Sequence, residues 1–175
     1  AFYLSGQLLT EDYYIANKLM KGFIGTANID TNSRLCMASA VVAHKRAFGS
    51  DAVPGCYEDL EQTDVLILVG SNTAYAHPVV YQRIARAKEL RPEMQIVVLD
   101  PRRTATCEIA DVHLPIKPGS DAFFFNGLLQ YLQQHNHVDH AYVAAHCNGF
   151  DETLAAANQQ VPTPSATADF CEVDP

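Results

Sequence analysis

Asp64-Val65-Leu66-Ile67-Leu68-Val69-Gly70 is the stretch on which the fold turns. An unbroken apolar run closed by glycine predicts a strand buried on both faces, as in a parallel sheet. Downstream, Pro78 to Leu90 reads as a helix with proline at its start, and Gln95 to Asp100 as a second buried strand. A short third strand follows from Val112 to Ile116, then an apolar helix from about Ala122 to Gln134. Upstream, Ala1 to Gly6 reads as a short strand running into a turn, and Thr10 to about Gly22 as a helix capped by Thr10. Asn28 to Leu35 is polar and turn-like, and Met37 to Phe48 is helical until Gly49 ends it. Strands alternating with helices at this spacing define an α/β fold, a parallel sheet with helices on both faces. A last helix is expected from His140 to Cys147. Residues 151–175, rich in Ala, Thr, Pro and Gln, predict one short helix inside a mobile connection, so the expected division is 1–150 and 151–175.

Composition narrows the classes of function. With 175 residues, 48% hydrophobic and 18% charged, the chain has the make-up of one core-forming domain and not of a disordered segment. Twelve Lys and Arg against 20 Asp and Glu give a net charge of −8, which argues against nucleic acid as a partner. No apolar run is long enough to span a bilayer. Cysteines at 36, 56, 107, 147 and 171 are odd in number, irregularly spaced and form no CxxC. They read as reduced thiols of a cytoplasmic protein, and no local signature of a zinc ribbon or iron–sulfur cluster is present. The histidines at 135, 137, 140 and 146 read as surface residues. The chain opens without Met and stops without a polar tail, which predicts an internal piece of a longer polypeptide.

In sheets of this kind ligands bind at the C-terminal ends of the strands. Those ends are Leu4-Ser5-Gly6-Gln7, Val69-Gly70-Ser71-Asn72, Leu99-Asp100-Pro101-Arg102 and Ile116 to Asp121. Gly70-Ser71-Asn72-Thr73 lets backbone amides and small side chains approach an anion, or is an ordinary strand-to-helix turn. Asp100 stands where a ribose hydroxyl pair is held, and Arg102 and Arg103 can meet a phosphate with bidentate geometry. Asp121, in Lys117-Pro118-Gly119-Ser120-Asp121, can accept two parallel hydrogen bonds from guanine or cap the helix from Ala122. Cys36 sits where a loop meets a helix, with Arg34 nearby; it is a thiolate serving as nucleophile or soft-metal ligand, or a buried structural thiol.

Asn32-Ser33-Arg34-Leu35-Cys36-Met37-Ala38-Ser39-Ala40 resembles the molybdenum-ligand segment of bacterial nitrate reductases in the molybdopterin oxidoreductase (dimethyl-sulfoxide-reductase-like) family. Ser5-Gly6-Gln7, Gly55-Cys56-Tyr57-Glu58-Asp59, Gly70-Ser71-Asn72 and Lys117 to Asp121 fall in the family's order, so the resemblance covers residues 1 to about 150. It implies a Rossmann-like domain of the formate dehydrogenase and dimethyl-sulfoxide reductase type. It further implies that Cys36 ligates molybdenum, that Met37 lines the substrate's approach, and that Gln7 and Asn32 contact the pterin. Gly70, Ser71, Asn72, Thr73, Asp100, Arg102, Gly119, Ser120 and Asp121 would hold the guanine dinucleotide arm of bis-molybdopterin guanine dinucleotide. The implied substrate is nitrate, reduced to nitrite, with an electron-donor protein or domain as partner and a 4Fe–4S cluster only in the parent. The cytoplasmic assimilatory branch is the better match, although the periplasmic branch shares Cys-Met-Ala-Ser. The chain alone is expected to be inactive.

Three other readings compete. One is a free-standing nucleotide-binding or scaffold module. The second is another member of the family, such as a formate dehydrogenase. The third is a thiol enzyme with Cys36 as nucleophile and His44 as its base.

Overall fold

The computed structural model describes residues 1–174 apart from Ser33, Arg34, Cys36 and Pro162. Backbone contacts divide the chain into two units, Ala1–Cys56 and Tyr57–Pro175.

In the first unit β1 (Phe2–Leu4) pairs in parallel with β2 (Ile29–Thr31), in register Phe2 with Ile29 and Leu4 with Thr31. The polar composition of 28–35 predicts only a turn, yet Ile29 and Thr31 are β-branched and three residues suffice to pair with β1. β1 accordingly belongs to this pair and not to the larger sheet. α1 (Thr10–Asn17) begins one residue earlier than its expected cap allows. Leu9 stands at the boundary, and the Asp12 carboxylate accepts its N–H at 3.2 Å. The helix widens into a π-helical segment, Lys18–Ile24, which Gly25 ends at a φ of 76°. α2 (Ala38–Phe48) ends at Gly49 as the sequence predicts.

The second unit is built on a three-stranded parallel sheet in the order β3 (Val65–Val69), β4 (Gln95–Leu99), β5 (Val112–Leu114). The short helix α3 (Asp59–Gln62) precedes β3, the first crossover carries α4 (Thr73–Ala76) and then α5 (Pro78–Leu90), and a 3-10 turn, Ala105–Ile109, links β4 to β5. α6 (Asp121–Gln134), α7 (His140–His146), α8 (Phe150–Gln160) and α9 (Pro164–Cys171) follow. Leu66, Leu68, Ile96 and Val98 share one face of the sheet, where Ile84 and Ala87 of α5, Met94 and Cys107 close a buried cluster. Val97, Leu99 and Leu114 share the other face and pack with Phe123 and Phe124 of α6, Ile116, and Cys171 and Val173. Helices therefore cover both faces, as expected.

Two expectations need correction. β3 is not buried on both faces: Val65 is 54% exposed, and Ile67 and Val69 beside it are also open. β3 lies at the sheet edge, and the α6–α9 layer reaches only β4 and β5. Residues 151–175 form two helices where composition predicts one, and Ala157, Val161, Ala168 and Cys171 are buried. The small residues that make this stretch look like a connection let its helices pack closely on α6. A Cβ on Gly127 of α6 would come within 2.2 Å of the Thr167 hydroxyl.

One ion-pair cluster locks the crossover. Lys88 near the end of α5 meets Asp111 at 2.8 Å and also donates to the carbonyls of Pro92 and Met94. The second Asp111 oxygen accepts the Ile96 N–H at 2.7 Å. Lys88 and this backbone bond hold the Asp111 carboxyl below the usual carboxylate range.

Candidate cofactor-binding site

Because β3, β4 and β5 run parallel, the three loops that leave them emerge at one edge of the sheet. After β3 the Gly70 N–H still reaches the Leu99 carbonyl at 2.8 Å, and a φ of 57° turns the chain there at low cost to glycine. Ser71 Oγ and Thr73 Oγ1 share a hydrogen bond at 2.5 Å. Asn72 Oδ1 is buried and has no hydrogen-bond partner among the described residues. α4 starts here, but the Ala74 amide is already taken by Thr106 Oγ1 at 3.1 Å. One of the amides expected to cradle an anion is thus spent inside the protein.

After β4, Asp100 is buried and its Oδ1 accepts the Arg102 N–H at 2.8 Å, an Asx turn that shapes the loop. His113 Nε2 lies 2.9 Å from the Asp100 carbonyl. A carbonyl only accepts, so this nitrogen carries the proton. Thr104 Oγ1 is buried without a partner among the described residues. The guanidinium groups of Arg102 and Arg103 are exposed. In this unit Arg83, Arg86, Lys88, Arg91 and Lys117 each meet a carboxylate, whereas among the described residues Arg102 and Arg103 meet none. Among the described residues two uncompensated cations thus stand at the C-terminal edge of the sheet, where ligands bind in folds of this kind, in a chain of net charge −8.

After β5, Gly119 turns the chain at a φ of 83°. Ser120 is 0% exposed and its hydroxyl donates to the Lys117 carbonyl at 2.6 Å, so Ser120 shapes the loop and presents no free hydroxyl. Ser120 also precedes α6, which makes Asp121 the first helical residue and not its cap. The Asp121 side chain is exposed and enters no hydrogen bond or ion pair among the described residues. Of the two readings of Asp121, the cap is excluded and the acceptor stays open.

In the first unit Asn32 Oδ1 accepts the Gly6 N–H at 2.6 Å, tying the ends of β1 and β2 together. Gln7 follows on the exposed rim, its N–H bonded to Ser5 Oγ at 3.2 Å. Tyr13 clamps the same loop by donating to the Ser5 carbonyl at 2.6 Å. Met37 is exposed at the start of α2, and His44 packs its ring against Phe48. The ligand assignment of Cys36 lies outside the described residues.

Sequence reading missed Thr106 and His113 and took Thr104 only as the end of the Asp100–Thr104 turn. Thr106 bonds to a residue 32 positions away, which no local pattern announces. His113 did leave a signal: it is the polar residue inside the apolar run Val112 to Ile116.

The molybdopterin oxidoreductase family profile matches residues 1–159, and the chain belongs to that family. Among curated relatives, a nitrate reductase of Shewanella frigidimarina is 63% identical over 91% of this chain and 17% of its own length. A nitrate reductase of Klebsiella oxytoca is 70% identical over 74% of the chain and 15% of its own length. A periplasmic nitrate reductase of Desulfovibrio desulfuricans is 50% identical over 73% and 17%. The chain thus spans about a sixth of the length of these relatives. Among solved structures, acetylene hydratase from Pelobacter acetylenicus superposes with a TM-score of 0.69, at 24% identity, over 93% of this chain and 21% of its own. That likeness supports the α/β fold. Among the described residues no helix is long and apolar enough to cross a membrane.

Proposed function

We propose that this chain is the part of a nitrate reductase that holds the guanine dinucleotide arm of a molybdenum cofactor and supplies a thiolate, from Cys36, to the metal. When bound, that group supplies the two-electron oxygen-atom transfer that turns nitrate into nitrite. The residues present fit such a group. Arg102 and Arg103 offer uncompensated guanidinium groups for phosphate oxygens. Among the described residues Asn72 Oδ1 and Thr104 Oγ1 are buried polar atoms without a partner, and the Asp121 carboxylate, which has none there either, would accept the paired N–H donors of guanine. Asp100 keeps the Arg102 turn in shape, and its Oδ2, which has no hydrogen bond among the described residues, would accept from a ribose hydroxyl. Gln7 and Asn32 serve the pterin end, with Asn32 acting through the Gly6 amide it holds, and Met37 lines the nitrate approach.

The observation that carries this reading is the contrast in charge pairing, Arg102 and Arg103 against the other five cations of the unit. The choice of nitrate rests on the likeness to nitrate reductases over 91% of the chain. Electrons come from a donor protein or domain through a 4Fe–4S cluster ligated by residues outside this sequence, so the chain alone does not reduce nitrate. Cys107, Cys147 and Cys171 carry free thiols, which supports the reading of a reducing cytoplasm and an assimilatory role. In domain terms 1–150 carries the cofactor and 151–175 follows it.

The test has two arms. The chain should bind GMP more tightly than AMP; Arg102→Ala should weaken both, and Asp121→Asn should remove the preference. Equal affinity for the two nucleotides in the unaltered chain would overturn the assignment of the loops. In the full-length reductase Cys36→Ser should abolish nitrate reduction, and retained molybdenum with full activity would sink the ligand role.

A further inference from the structure

The three loops at the sheet edge are held in different ways. Thr106 pins the loop after β3, and the Asx turn of Asp100 with His113 pins the loop after β4. The loop after β5 also bonds within itself at Ser120, but its start is gripped from α9, which lies beyond the matched family profile. The Lys117 N–H donates to the Cys171 carbonyl at 2.8 Å, and the Cys171 thiol points at the Ser120 carbonyl at 3.8 Å. Lys117 Nζ meets Glu172 at 2.7 Å. Glu172 itself adopts a φ of 59°, which turns the chain so that the Val173 N–H closes back on Ala168. α9 is in turn seated on α6: Thr167 fills the notch left by Gly127, and the rings of Phe170 and Phe123 stack at 3.8 Å. Cys171 is fully buried with Leu99 and Ile116, so its part of the grip belongs to the core, while the Lys117–Glu172 pair lies at the surface.

We propose that α9 is a positioning element for nucleotide recognition: through Cys171 and Glu172 it sets the Lys117–Asp121 loop, and hence the direction in which Asp121 meets a guanine ring. The step from loop shape to guanine rests on the proposed function; the grip on the loop does not. Asp121 starts α6, so its carboxylate moves with both the loop and that helix. A shift of α9 against α6 therefore changes guanine recognition without touching the phosphate-facing Arg102.

Hydrogen exchange on the 175-residue chain tests the grip without any ligand. Gly127→Ala drives a methyl group into Thr167 and should speed exchange across 115–121 by about tenfold while 95–99 stays protected. Thr167→Gly on that background reopens the notch and should restore protection. Glu172→Gln leaves the positive-φ turn as it is, removes the charge from the pair to Lys117, and should speed exchange at 117–120 about twofold. Exchange across 115–121 that is unchanged in both single variants, or that rises only in step with 95–99, overturns the proposal. Titration with GMP and AMP separates the two readings. If the unaltered chain prefers GMP, Gly127→Ala must reduce that preference more than it reduces AMP affinity, and an unchanged preference overturns the positioning role. If the unaltered chain shows no preference, the reading of the loops fails while the exchange result still decides the grip.

Discussion

Residues 57–175 bury Ile84, Met94, Ile96, Val98 and Leu99 between a sheet and two helix layers, whereas among the described residues of 1–56 only Met20 is buried. The first unit leaves Leu9, Tyr14, Ile15, Phe23 and Ile24 largely open. It is held by hydrogen bonds, such as Tyr13 to Ser5 and Gly6 to Asn32, around a three-residue parallel pair. Such a pair has too little apolar surface to be stable by itself. The two units therefore stand on unequal foundations. The nucleotide loops rise from a sheet with its own core, whereas the segment around Met37 rises from a unit with a single buried side chain among its described residues.

The sharpest way to break this comparison is by truncating one core residue in each unit. Ile96→Ala should cost about 2–5 kcal/mol in denaturant unfolding, because a fully buried side chain leaves a cavity between the sheet and α5. Met20→Ala should cost about 1 kcal/mol, because few buried neighbours are left to lose contacts. Equal costs would show that the first unit has a core of comparable strength. Next in size is Thr106→Val, which removes the acceptor for the Ala74 amide and should cost about 1–3 kcal/mol. Its effect on exchange should concentrate in 71–77; a uniform rise would mean that the loop after β3 is not pinned there.

A smaller effect is expected from acid. The folded carboxyl of Asp111 titrates below its unfolded counterpart, so its contribution is complete above the ordinary carboxylate range and is lost as pH falls through it and below. Thermal scans should show Asp111→Asn lowering the melting temperature at neutral pH and shrinking the drop between neutral and acid pH; parallel curves would remove Asp111 from the account. The smallest effect should come from Arg86→Ala. Its pair with Glu89 is exposed on α5 at a spacing of three, and it should be worth about 0.3–0.5 kcal/mol. A larger loss would assign that surface a role beyond a solvated face.

Much of this was legible in the chain. The run Val65–Val69 announced a strand, Pro78–Leu90 matched its helix at both ends, and Gly70 and Gly119 marked the turns that adopt positive φ. Arg102, Arg103 and Asp121 could be picked because strand-end loops of a parallel sheet are where ligands bind. The exposed face of β3 could not be read, since an apolar run looks the same whether a neighbour covers one side or two. β2 was hidden in a polar stretch because its pairing depends on β1, about 27 residues away. Ser120 looked like a ligand contact, and only the fold shows its hydroxyl turned inward to Lys117.

By itself, then, the sequence determined the α/β class, the order of strands and helices in the sheet-forming half, and which residue types stand at the strand ends. Periodicity, glycine and proline are local signals, and each acts within a few residues. Tertiary structure alone decided which polar groups are spent and which are left over. Ala74 is spent on Thr106 and Lys117 on Cys171 and Glu172, while the guanidinium groups of Arg102 and Arg103, Asn72 Oδ1 and Thr104 Oγ1 remain without protein partners among the described residues. Such pairings form between residues as much as 55 positions apart, and only packing brings them within hydrogen-bonding distance.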